Sequence, residues 1–258
     1  TDVTRRDSGS QVITNGTTCN VRIVEGTGTP GSITLGSSTT AINTLNQSVS
    51  GGTSLATLDI AGRTLAVNSI LAATGSDGLT IGAGGTLKSA GAELILNNIS
   101  VIGTATVNSA IANGSGASSL VKSGAGQATL NGNNTYTGLT SVNAGTLTLN
   151  GANNSAGGVA IYNGTLAIGN AGALNSAAGS ESAVTFGVNS AGALRLGGNS
   201  IVIRSLDSNT VPGTPVVENA NAGAATLTVG NSANASCTFG GTLRDGAGGG
   251  ALSLAKAG

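Results

Sequence analysis

Histidines, paired carboxylates and thiols carry most side-chain chemistry, and this chain has few of them. Its 258 residues include ten Asp or Glu, ten Lys or Arg, two Cys and no His. Without His there is no Ser-His-Asp or Cys-His arrangement to activate a nucleophile. No cluster has zinc-site spacing, and the Asp repeat of a calcium roll is missing. The sequence therefore predicts no catalytic, cofactor or metal-binding residues and reads as a non-enzyme. The best enzymatic candidate is the pair Asp207 and Glu218 with Arg204 close by, because two carboxylates beside a cation can serve general acid–base work on polysaccharides. The two acids lie in DSNTVPGTPVVENAN (207–221), on either side of Pro212 and Pro215, two of the three prolines. Proline cannot donate to a strand ladder, so 207–221 reads as a loop excursion. Loops on stacked repeats often face partners, which makes Asp207, Pro212, Pro215 and Glu218 the candidate partner-facing residues.

The elements that must position these residues are short strands. SITLG (32–36), TLDIAG (57–62), RTLAV (63–67), LTIGAGG (79–85), ELILNN (93–98) and TATVN (104–108) alternate apolar and polar residues between Gly, Asn or Ser punctuation. That is the period of a half-buried strand. No segment shows sustained helical spacing with caps. GTLK, GTLAIG, GALRLGG, ATLTVG and GTLRDG return along the chain, each following a turn signal. Short strands that recur in this way predict a β-solenoid, in which each coil pairs in parallel with its neighbours ~4.8 Å away. The expected inward residues are Ile33, Leu35, Leu58, Ile60, Leu65, Val67, Leu79, Ile81, Leu94, Leu96, Leu147, Leu149, Leu166, Ile168, Leu194, Leu196, Leu227 and Val229. Asn at repeated corners is expected to form side-chain amide ladders. GAGG at 82–85 and the Gly-rich run 246–250 read as corners, since no GK[ST] follows either.

Composition agrees with a thin, repetitive core. Gly numbers 44, aromatics are 2% and charged residues 8%, while 39% of the chain is hydrophobic and the net charge is zero. Disordered chains are poorer in aliphatics and richer in net charge. Scattered charges without a basic stripe argue against nucleic acid as a partner. No apolar run approaches the ~20 residues of a membrane helix, so no membrane insertion of this segment is expected. Thr1 opens the sequence with neither an initiator Met nor a signal peptide, which reads as a processed or excised segment. Several Asn-x-Ser/Thr triplets (at Asn15, Asn46, Asn98, Asn113, Asn133, Asn153, Asn163 and Asn234) would accept glycans in a host with the machinery.

The longest patterned stretch is LVKSGAGQATLNGNNTYTGLTSVNAGTLTLNG, 120–151. Its Lys122, Gly124, Gly126, Leu130, Gly132, Asn134, Tyr136, Gly138, Thr140, Val142, Gly145 and Leu147 resemble the autotransporter-associated β-strand repeat, also called the passenger-associated transport repeat. Ala128 stands where that pattern has its first Leu. The resemblance implies an all-β, right-handed parallel β-helix, extracellular or on a bacterial cell surface, in passengers that act as adhesins, matrix components or carriers of other domains. It also implies export through a C-terminal β-barrel, and this sequence has no series of ~10-residue amphipathic strands that would form one.

Charge is concentrated in the first 25 residues, so residues 1–30 read as an N-terminal arm or cap and 31–258 as the solenoid. LSLAKAG (252–258) matches the opening of the best repeat, with Lys256 in the place of Lys122, as if another repeat began there. Cys19 and Cys237 lie near opposite ends of the expected rod, too far apart for an intramolecular bridge, which needs Cα atoms within ~7 Å. End-to-end packing of copies would bring Cys237 of one near Cys19 of the next, a candidate intersubunit disulfide. The expected function is thus a structural stalk or fibre subunit, assembling head-to-tail or binding surface and matrix components. An adhesin passenger and a carbohydrate-active β-helix enzyme are the alternatives. An ice-binding solenoid is disfavoured because its Thr-x-Thr ranks would have to be regular.

Overall fold

The computed structural model describes residues 2–4, 11–24, 32–48, 55–153, 157–230 and 236–257. Among these residues every regular element is a strand, and every strand pairing is parallel. The chain is a β-solenoid of about 9 turns. Each coil visits three faces in a fixed order. One face is an 11-stranded sheet running from Gln11–Ile13 to Thr242–Arg244. A second face belongs to a 12-stranded sheet whose main path ends at Ser205–Ser208. The third carries Ile201–Ile203, Ala225–Val229 and Leu252–Lys256 as a separate 3-stranded sheet.

The nine-residue strands Thr39–Gln47 and Thr64–Ala72 turn from the third face to the second without breaking. Further along, the coil divides into two strands. Thr86–Lys88 pairs with Thr64–Ala66, while Glu93–Asn98 pairs with Ser69–Ala72. The chain inserted between the two strands makes this change: Thr64 stacks on Thr86, 22 residues on, but Ser69 stacks on Ile95, 26 residues on.

All eighteen inward residues predicted by alternation are buried and belong to one hydrophobic cluster. A single coil cannot cover its own apolar face, and the coil above does so. The amide ladders are present as well. Asn131 Nδ2 donates to Asn108 Oδ1 at 2.7 Å, and Asn150 Nδ2 donates to Asn131 Oδ1 at 2.7 Å. A second ladder runs through Asn20, Asn43 and Asn68 at 2.9 and 3.2 Å.

Three expectations need correction. Of the two readings of residues 1–30, arm or cap, the described part does not form a separate arm: Gly16–Val24 pairs with Thr39–Gln47, and Gln11–Ile13 pairs with Ile33–Leu35. Charge density misled there, because outward positions of the first coils tolerate charge as well as a free arm would. The segment 207–221 is not an excursion from the stack. Asp207 lies in the strand Ser205–Ser208 and Glu218 in Val216–Glu218, so the prolines occupy the corner between them. Pro215 is buried, and its carbonyl accepts the Thr242 N–H at 2.9 Å, a ladder bond that needs no proline donor. Finally, Lys256 does not occupy the place of Lys122. Lys122 lies in Ser119–Ser123 of the 12-stranded sheet, and Lys256 in Leu252–Lys256 of the 3-stranded one.

Candidate functional site

The 120–151 stretch shows what its pattern does. Lys122 is fully buried. Its Nζ donates to the carbonyls of Ser123 and Gly124 at 2.8 Å each and of Ala144, one coil on, at 3.0 Å. Three N–H bonds are the full donor capacity of an ammonium, so the side chain ties a corner to the corner above it. Burial lowers its pKa to about 8, which still leaves it charged at neutral pH. Gly145 has φ +66° beside this ammonium, a left-handed conformation that a side chain would strain. Gly126 and Gly132 pack directly on the backbone of the preceding coil, where a Cβ would collide with the carbonyls of Ser100 and Ser109.

Tyr136 is the largest fully buried side chain. Its hydroxyl pairs with Thr140 Oγ1 at 2.8 Å, and burial pushes its pKa up to about 12. Asn134 bridges to Asn153 of the next coil, and its Oδ1 accepts the Ile111 N–H of the previous coil at 2.9 Å. Lys, Asn and Gly in this stretch therefore hold coils together, while Tyr136 braces its own corner through Thr140.

Residues 120–148 and 144–168 match the family model of the passenger-associated-transport-repeat. The chain carries this repeat. The two matches are successive coils: Gln127–Leu130 pairs with Thr146–Leu149, which pairs with Thr165–Ile168. No curated protein and no solved structure matches the chain.

The carboxylate trio does not converge. Asp207 lies on the 12-stranded sheet and Glu218 on the 11-stranded sheet, with Arg204 at a corner. Asp207 Oδ1 accepts the Thr238 N–H at 3.1 Å. Glu218 is buried. Its Oε1 accepts from Arg195 Nε at 2.6 Å and its Oε2 from Arg244 Nε at 2.7 Å, with Arg244 Nη2 in ion-pair contact at 2.7 Å. Burial pushes its carboxyl up, but the two guanidiniums outweigh that and hold it below the ordinary carboxylate range. A carboxylate pinned in this way is a poor proton donor. Alternation could place Arg195 outward, but not what it meets, because its partner lies 23 residues away. Among the described residues no group of three or more His, Cys, Asp or Glu could hold a metal ion.

Cys19 and Cys237 are both free and half-buried. Cys19 lies in Gly16–Val24, near the start of the stack. Cys237 lies beside the last strand of the 12-stranded sheet, where the Thr238 carbonyl accepts the Ser208 N–H. At ~4.8 Å per coil they are roughly 40 Å apart, so no intramolecular bridge forms. Cys237, Leu206, Phe239, Leu243 and Leu254 line an open apolar cavity of about 250 Å³. Two of the Asn-x-Ser/Thr triplets are closed to glycans: Asn98 and Asn153 are buried, and Asn98 Nδ2 donates to Gly103 and Gln127 carbonyls. Asn234 lies outside the described residues.

Proposed function

We propose that the chain is a structural segment of a bacterial surface passenger, a stalk that holds other parts of its protein away from the cell. The observation behind this reading is the repeat itself: matches at 120–148 and 144–168 that form successive coils of an unbroken parallel stack. Its mechanism is mechanical. Parallel pairing from coil to coil gives stiffness along the axis, and buried Lys122 ties its corner to the next one. With 8% charged and 2% aromatic residues, the surface offers few sites to proteases that cut beside such side chains. Its partners in this reading are other surface or matrix components and further copies of itself. The test is to fuse the chain to an outer-membrane translocator β-barrel in a Gram-negative host. The stalk reading expects full-length chain on intact cells, detected by antibody and resistant to external protease. Retention in the periplasm, or rapid degradation at the surface, would overturn it.

A further inference from the structure

One charged cluster has more donors than the fold uses. Arg195, Glu218 and Arg244 stack on three successive strands of the 11-stranded sheet, paired Arg195 to Glu218 and Glu218 to Arg244. Glu218 engages Nε of Arg195 and both Nε and Nη2 of Arg244. Both Nη atoms of Arg195 and Nη1 of Arg244 have no hydrogen-bond partner among the described residues. Two permanent cations face one carboxylate, so the cluster keeps one net positive charge. The arginine side chains are 47% and 56% exposed, whereas that of Glu218 is 5% exposed. The buried acid therefore positions two guanidiniums whose remaining N–H groups are open to solvent.

These three residues line a cavity of about 560 Å³ together with Ala220, Gly246 and Ala247. Its volume falls in the ~300–1,000 Å³ range of small-molecule sites and far exceeds a bare anion. Apart from the charged residues, no lining side chain is larger than that of Ala, so the walls are largely backbone, with polar N–H and C=O groups. A lipid tail or an aromatic ring would find little to pack against.

The backbone at the rim is an independent pointer. Ala220 has φ 55°, one of two described non-glycine residues with positive φ. Two anchors hold it there. Its N–H donates to the Asp245 carbonyl at 3.0 Å, and the buried side chain of Asn219 donates to the Gly223 and Gly250 carbonyls at 2.6 and 2.9 Å. Strained backbone persists only where its surroundings over-determine it, and it clusters at ligand sites.

We propose that this cleft binds the oxyanion group of an acidic saccharide. Arg195 and Arg244 take the carboxylate, sulfate or phosphate through their open N–H groups, as planar guanidinium forks do. The hydroxyl-rich body of the sugar lies along the backbone of Ala220, Gly246 and Ala247. The site is independent of the stalk reading, because binding is a property of the folded chain wherever it resides.

Titration calorimetry on the full chain at low salt tests this with four probes: a uronate trisaccharide, a sulfated disaccharide, neutral maltotriose, and inorganic phosphate or sulfate alone. At least one acidic saccharide should bind, and which one identifies the source of the oxyanion. Arg195→Gln and Arg244→Gln should each weaken it tenfold or more, and added salt should weaken it further. Arg244→Lys keeps the charge without the fork and should also weaken binding, so the proposal stays testable if Arg244→Gln does not fold. Three results would overturn it: no acidic saccharide binding, equally tight binding of maltotriose or the inorganic anions, or unchanged affinity in folded arginine variants.

Discussion

At the scale of single residues, Lys122 decides most. A buried ammonium with three backbone carbonyls and no carboxylate is uncommon, because burying a charge is costly unless it is well hydrogen-bonded. Its pKa of about 8 in the folded chain lies below the ordinary 10.5. Between those values the unfolded chain binds more protons than the folded one, so stability rises with pH across this window. The full effect is at most about 3 kcal/mol. Above pH 10 the buried Tyr136 acts the other way, since its hydroxyl resists ionisation until about 12 while the unfolded chain ionises earlier. Urea midpoints measured from pH 8 to 10 should therefore climb in the native chain and stay flat in Lys122→Met. A parallel climb in both would remove the lysine as the cause.

At the scale of the coil, inward and outward positions of one strand should differ sharply. In Thr146–Leu149 the burial alternates, and Leu147 is buried between Ala128 and Leu166 of the adjoining coils. Leu147→Ala should cost ~2–5 kcal/mol, by lost transfer energy and the cavity left behind. Thr148→Ala, one residue on and half-buried on the outer surface, should stay within ~0.5 kcal/mol. Gly126 offers a backbone counterpart. A Cβ there would meet the carbonyl of Ser100, so Gly126→Ala must push two coils apart. Comparable denaturation midpoints for Leu147→Ala and Thr148→Ala would contradict the assigned register.

At the scale of the whole molecule, the stack separates its two thiols by many coils. Any disulfide they share must therefore join two copies, Cys237 of one to Cys19 of the next, in a head-to-tail line. Non-reducing electrophoresis of oxidised protein should show a ladder of multimers that reductant collapses to monomer, and Cys19→Ser should abolish it. Monomer alone in oxidised samples would end the covalent form of that assembly. Electron microscopy separates the remaining cases, since filaments indicate end-to-end contact and isolated rods indicate a stalk.

Alternation, Gly and Asn punctuation and the Lys122-to-Leu147 pattern were enough to specify a parallel aliphatic stack, because each of these signals is local. The eighteen inward residues follow from a period of two, and the Asn ladders from repetition at corners. What the sequence by itself left open is which coil lies against which. Separations between stacked positions run from 19 residues, at Asn131 and Asn150, to 30, at Ser208 and Thr238, so register depends on how much chain each corner absorbs. For that reason Lys256 resembles Lys122 in sequence and yet lies on another face, and residues 1–30 read as an arm or cap while their described strands at 11–24 pair into the first coils. The same dependence joins Glu218 to Arg195 and Arg244, three residues far apart in sequence that only the stacking of successive coils brings within hydrogen-bond distance.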